Sequence, residues 1–163
     1  MQINHVMCPV DFSSCSSAAV AYASSLASEH QAELHLVHVY EEPFAYVEGG
    51  IVGTVPPADL EPDKKRFGEI VPTRADVRFR REFIIGNPAD RLIEYARNHA
   101  VDLIVIGTHG RTGISRLLMG SVAEAVLRRA PCPVLTLKQP DKERVRNEVT
   151  ELSLQTAAPQ AAR

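Results

Sequence analysis

An open α/β sheet with helices on both faces is the fold class that the sequence predicts, and three observations predict it. Short apolar runs alternate with stretches whose apolar residues recur at helical spacing. One of those runs, Leu103-Ile104-Val105-Ile106, is continuously apolar, as expected of a parallel strand buried on both faces. Between Val101 and Leu137 the order is strand, glycine-rich loop, helix, strand, which is how a parallel sheet with helical crossovers is built. Five such strands joined by right-handed crossovers leave few arrangements.

The 163 residues suggest one domain with room for a real core. We place that domain at residues 1–138 and expect 139–163, polar and then rich in Ala and Gln, to be a mobile tail. A docked extra helix carrying Val145, Val149 and Leu152 is the alternative for the tail. The composition is ordinary for a globular protein: 45% hydrophobic, 23% charged, net charge −2. That balance provides no electrostatic footprint for nucleic acid. No stretch reaches membrane-spanning length and no leader precedes the first strand, so no membrane partner and a cytoplasmic location are expected. Cys8, Cys15 and Cys132 are an odd number without C-x-x-C spacing, and neither a metal site nor a disulfide is expected of them.

Val6 to Val10 reads as the first strand, with Asp11 at its end. Ser13 or Ser14 caps the next helix, whose expected buried face holds Ala19, Tyr22, Ala23 and Leu26. Glu33 to Tyr40 is the second strand. His35 and His38 lie three apart on it, so they face opposite sides and cannot chelate one metal as a pair; they read as structural or rim histidines. Glu41 to Pro57, broken by Pro and Gly, reads as irregular chain, and a short helix runs from about Pro62 to Val71. Val77 to Ile85 is the third strand, where Arg81 interrupts the apolar face and implies a partly exposed edge. Asn87 caps the helix after it, Pro88 takes its first position, and Ala89, Leu92, Ile93 and Ala96 form its buried stripe. The fourth strand precedes Gly107, and Val134 to Leu137 is the fifth.

Four glycines, Gly107, Gly110, Gly113 and Gly120, fall within fourteen residues and lead to a helix opened by Ser121. Val122, Ala123, Val126, Leu127 and Ala130 share one face of that helix. Unpaired backbone N–H groups and the helix dipole make such an N-terminus a ready anion site. A structural reading exists for each residue taken singly. Ser121-x-x-Glu124 also fits a capping box, and Gly107 also fits tight geometry at a strand end. The phosphate motifs G-x-x-x-x-G-K-[ST] and G-x-G-x-x-G are both missing, and no lysine lies between Lys65 and Lys138.

The spacing that stands there is Gly107-x2-Gly110-x9-Gly120-Ser121, preceded by Pro9-Val10-Asp11 and the Gly86-Asn87-Pro88-Ala89 turn. This pattern resembles the G-x2-G-x9-G-[ST] signature of the ATP-binding branch of the universal stress protein family, over residues 1–138. The resemblance implies a Rossmann-like open sheet of order 3-2-1-4-5, which sets strands one and four side by side and Asp11 across a crevice from Gly107. It also implies residue roles. Asp11 would accept hydrogen bonds from ribose hydroxyls, although a carboxylate capping the first helix is the alternative. Pro9, Val10, Val39 and Ile106 would line an adenine pocket. Gly110, Gly120, Ser121 and the backbone of Val122 would hold phosphates, with Arg111 adding charge. Gly113 and the short Glu41–Val71 segment depart from the family's pattern.

The function implied is that of an ATP-binding regulatory or stress-response module, using ATP with magnesium, with at most slow hydrolysis. Two rivals remain open: an enzyme that cleaves ATP or transfers adenylyl groups, and a ligand-free structural dimerisation module. His109 inside the loop could act as an acid or base, but no carboxylate close in sequence orients it, and no catalytic residue is assigned. The resemblance implies a homodimer in which strands 134–138 of two copies pair antiparallel.

Overall fold

A computed structural model describes residues 2–41, 44–47, 50–54, 59–108 and 119–138. Eleven elements succeed one another along the described chain: β1 (His5–Pro9), α1 (Ser14–His30), β2 (Glu33–Tyr40), β3 (Phe44–Val47), β4 (Gly50–Thr54), α2 (Glu61–Gly68), β5 (Phe79–Ile85), α3 (Pro88–Asn98), β6 (Leu103–Gly107), α4 (Ser121–Arg129) and β7 (Val134–Leu137). The main sheet has the order β5-β2-β1-β6-β7, and all its pairings are parallel. In the order of the predicted strands this is 3-2-1-4-5.

The core has two halves because side chains alternate across each strand. On one face, Val6, Cys8, Leu34, Leu36 and Val105 pack with α1 and with Phe67 of α2. On the other, Met7, Val37, Ile104 and Ile106 pack with Leu92 and Ala96 of α3 and Val126 of α4. Burial pushes the Cys8 thiol well above the usual cysteine range, so it serves as a small apolar filler.

Helix α1 starts where Ser13 accepts the amide of Ser16 on its side chain, at 3.1 Å. Its buried face differs from the expected one. Cys15, Ser16, Ala19, Val20, Ala23, Ser24 and Ala27 turn inward, while Tyr22 is 47% exposed. Small residues let the helix lie close to the sheet, and Ser24 is satisfied there: its hydroxyl donates to the Val20 carbonyl at 2.7 Å and accepts the Thr73 amide at 3.1 Å. Asn87 caps α3 by accepting the Asp90 amide, with Pro88 in the first turn, as expected. Gly86 before it has φ 136 and Arg91 Nε only 2.8 Å from where a Cβ would stand, so only glycine suits this turn.

Two expectations are corrected. The segment 41–57 is not wholly irregular, because β3 and β4 pair as a separate antiparallel ribbon with a register shift between Ala45 and Tyr46. Its strands are four and five residues long and carry glycines at positions 50 and 53, too little periodic signal to stand out. Helix α2 begins at Glu61 and ends at Gly68, short of Val71. His35 and His38 face opposite sides as expected, and of the two readings offered for them burial favours the structural one: they are 1% and 2% exposed. Edge strand β5 absorbs its interrupting charge. Arg81 lies over the Phe79 ring at 4.8 Å and donates to the Ile70 carbonyl at 2.8 Å.

Candidate functional site

Adjacent strands β1 and β6 send the chain in opposite directions across the sheet, β1 toward β2 and β6 toward β7. Open α/β sheets bind ligands at the carboxyl ends of such a strand pair. A cleft of about 440 Å³ lies there. Its lining comes from the carboxyl end of β1 and the residues just past it (Pro9, Val10, Asp11), from β2 (Val37 to Tyr40) and from the end of β6 (Ile106 to Thr108). The opening turn of α4 (Gly120 to Ala123), with Pro88 and Leu92 of α3, completes the lining.

Of the residues expected from sequence, Pro9, Val10, Asp11, Val39, Ile106, Gly107, Gly120, Ser121 and Val122 all border this one cleft. Gly110 and Arg111, with His109 and Gly113, lie outside the described residues. Ser16, His38, Thr108, Pro88 and Leu92 line the cleft without having been anticipated. Thr108 could have been found from its place directly after the last strand residue. Pro88 and Leu92 could not, since nothing local in their sequence shows which strand end α3 leans over.

Asp11 reaches its position through an unusual backbone. Phe12, next to it, has φ 65, a left-handed conformation that costs a bulky residue roughly 1–2 kcal/mol. Its ring lies 4.5 Å from that of His38 and beneath the Arg66 guanidinium at 4.4 Å. His38 donates from Nδ1 to the Val10 carbonyl at 2.6 Å and so pins the end of β1 from below. Asp11 Oδ1 accepts the Ser13 amide at 3.0 Å and the Ser13 hydroxyl at 2.6 Å. The helix-capping alternative therefore holds in part: Ser13 is the cap, and Asp11 steadies Ser13.

The structure bears on the capping reading at α4. Gly120 is the N-cap and Ser121 the first helical residue, with no side-chain capping bond. Glu124 reaches forward to Arg128 at 3.0 Å rather than back, so no capping box forms. The first helical hydrogen bond runs from the Glu124 amide to the Gly120 carbonyl at 2.9 Å. The amides of Ser121, Val122 and Ala123 precede it at the cleft wall, as a helix N-terminus requires. Gly120 has φ −61 and ψ 146, extended backbone open to any residue. Its amide donates to the Thr108 carbonyl at 2.8 Å. The Thr108 amide in turn donates to Leu137 at 2.8 Å.

Gly107 has a packing reason to be glycine. A Cβ there would stand 3.0–3.1 Å from the backbone carbon, Cβ and Sγ of Cys15, so the strand end lies against α1 more closely than a side chain would allow without a shift. This packing fits the strand-end alternative for a glycine that also borders the cleft.

The strand order and a cleft bordered by Val10, Asp11, Leu92, Ile106 and the first turn of α4 define a class: open α/β domains with a crevice at the switch point of the sheet. The chain belongs to the universal stress protein family, whose sequence model matches residues 2–138. A universal stress protein of Methanocaldococcus jannaschii is 34% identical over 142 residues, covering 85% of this chain and 84% of that one. Among solved structures, the universal stress protein UspA of Lactobacillus plantarum superposes with a TM-score of 0.65 at 26% identity, over 84% of this chain and 99% of that one. A universal stress protein solved in complex with cAMP superposes with a TM-score of 0.64 at 26% identity, over 85% and 98% of the two chains. Among the described residues no helix is long and apolar enough to cross a membrane.

Proposed function

We propose that the chain binds ATP with magnesium in the cleft between β1 and β6 and works as a cytoplasmic regulatory module of the stress response, with at most slow hydrolysis. The observation that carries this reading is that Asp11 and the α4 N-terminus, far apart in sequence, border one cleft. Val10, Val39 and Ile106 supply apolar surface for an adenine ring, Asp11 an acceptor for ribose hydroxyls, and the amides from Ser121 onward donors for phosphate oxygens. The solved relative in complex with cAMP supports an adenine nucleotide as the ligand class. The missing P-loop lysine favours a metal-bound triphosphate, since magnesium would neutralise phosphate charge that no such lysine is present to balance.

Calorimetry on nucleotide-stripped protein tests the reading. ATP should bind, more tightly with magnesium than with a chelator present, and sustained turnover should be missing. Failure of ATP, ADP, AMP and cAMP alike to bind would leave the structural dimerisation module standing. Rapid multiple turnover would select the enzyme.

A further inference from the structure

At the amino-terminal end of the sheet, away from the cleft, three metal-ligating side chains come together from two strands. His5 and Glu33 are register partners at the starts of β1 and β2, and His35 lies two residues beyond Glu33 on the same face. One donor atom from each lies within 4.8 Å of the others. His35 is 1% exposed, and its Nε2 makes no hydrogen bond among the described residues. That nitrogen stands 3.5 Å from Glu33 Oε2, too far for an N–H···O bond. It is close to the ~3.4 Å that separates two ligand atoms held tetrahedrally at about 2.1 Å from a zinc ion. We propose that His5, Glu33 and His35 form a binding site for a divalent transition-metal ion of the zinc type, with a coordination position left to water.

The second nitrogen of each imidazole is held as metal-binding histidines usually are. His5 Nδ1 lies 3.3 Å from the Ala100 carbonyl, which can only accept, so the proton sits on Nδ1 and the lone pair on Nε2. His35 Nδ1 faces the Tyr95 hydroxyl at 3.3 Å. With the hydroxyl oxygen accepting from Nδ1, Nε2 keeps its lone pair toward Glu33. Asp102 Oδ2 accepts the His5 amide at 3.0 Å and fixes the start of β1. His5 and Glu33 are only partly buried, which gives an ion a way in. The histidine three residues away on β2, His38, is no part of this; the partner of His35 is across the strand pair.

Arg80 opposes the ion. Its guanidinium grips Glu33 at 2.8 and 3.1 Å, so a metal must share that carboxylate with a cation. This gives the site a signature that adventitious surface binding lacks: Arg80→Gln should tighten zinc binding while His5→Ala and Glu33→Gln weaken it.

The test is zinc titration, by competition with a chromophoric chelator, of the full-length tag-free chain stripped of metal and nucleotide. One zinc should bind per chain and raise the melting temperature. Loss of a direct ligand should cost at least the roughly 10- to 100-fold that loss of an orienting partner costs. Cobalt(II) should show tetrahedral visible absorption that His5→Ala abolishes, with circular dichroism confirming that the variant is folded. Gly120→Val should leave zinc binding unchanged, which separates this site from the nucleotide cleft. Wild-type protein that takes up no zinc would overturn the proposal, as would His5→Ala and Glu33→Gln variants that bind it as wild type does.

Discussion

Gly107 and Cys15 touch so closely that a side chain on the first would have to push the second aside: the backbone carbon of Cys15 lies 3.0 Å from where its Cβ would stand. Strand β6 and helix α1 thus meet backbone to backbone beside the cleft.

Gly107→Ala should therefore act on stability before it acts on any ligand. Forcing a methyl group into a packed contact costs typically about 1–3 kcal/mol, and urea unfolding should show a midpoint lowered to match. Cys15→Ala in the same chain should restore only part of the loss, because two of the three close atoms remain. An unchanged midpoint in the single variant would show that α1 shifts freely.

Gly120→Val separates binding from folding. Gly120 sits in ordinary extended backbone, so a side chain there should not strain the chain, and any effect comes from blocking the approach of phosphate. ATP affinity should fall beyond detection by calorimetry while the melting temperature moves by no more than a few degrees. Ser121→Ala should weaken ATP by roughly ten- to hundredfold, the equivalent of about 1.5–3 kcal/mol for a hydrogen bond to a charged group. Since Ser121 is not the helix cap, its stability should stay unchanged.

Asp11 should prove a residue with two roles. Asp11→Ala removes both bonds to Ser13 and the proposed ribose acceptor, so stability and the affinity for ATP and adenosine should fall together. Ser13→Ala is the control. It removes the α1 cap, worth about 0.5–2 kcal/mol, and should lower the melting temperature with nucleotide affinity intact. Equal affinity in wild type and Asp11→Ala would confine the carboxylate to its structural role.

Strand β7 closes one side of the sheet, and we propose that it pairs with its copy in a homodimer. Pro133 and Leu137 point their carbonyls at β6 and Thr108, so Val134 and Thr136 direct their backbone groups outward. Thr136→Pro removes one outward donor and should shift the sedimenting species toward monomer. Leu135 and Leu137 pack partly against the α1 side of the core, so a lysine at either would disturb the fold as well as the edge. A Thr136→Pro protein that remains dimeric would rule this interface out.

The sheet was legible because its signals are local. Leu103 to Ile106 is too apolar to be anything but buried, and Asn87-Pro88 and Ser13 announce helix starts by side-chain chemistry that acts within three residues. The cleft was legible where residues come directly after a strand end or open a helix, as Asp11 and Gly120 do. It was illegible where a wall depends on how a helix leans, as with Pro88 and Leu92. Helix α1 misled because its inward face is Ala and Ser rather than large apolar side chains, so Tyr22 looked like the stripe's anchor. The pairing of His5 with His35 depends on strand register, which no spacing along one strand can reveal.

The bond from Gly120 to Thr108, 2.8 Å long, joins the two ends of residues 109–119 at a fixed gap. Through the Thr108 amide, which donates to the Leu137 carbonyl at 2.8 Å, the same knot takes in the end of β7. Backbone bonds survive any side-chain substitution but proline, so the end of β6 and the start of α4 keep their spacing whatever side chains the cleft carries.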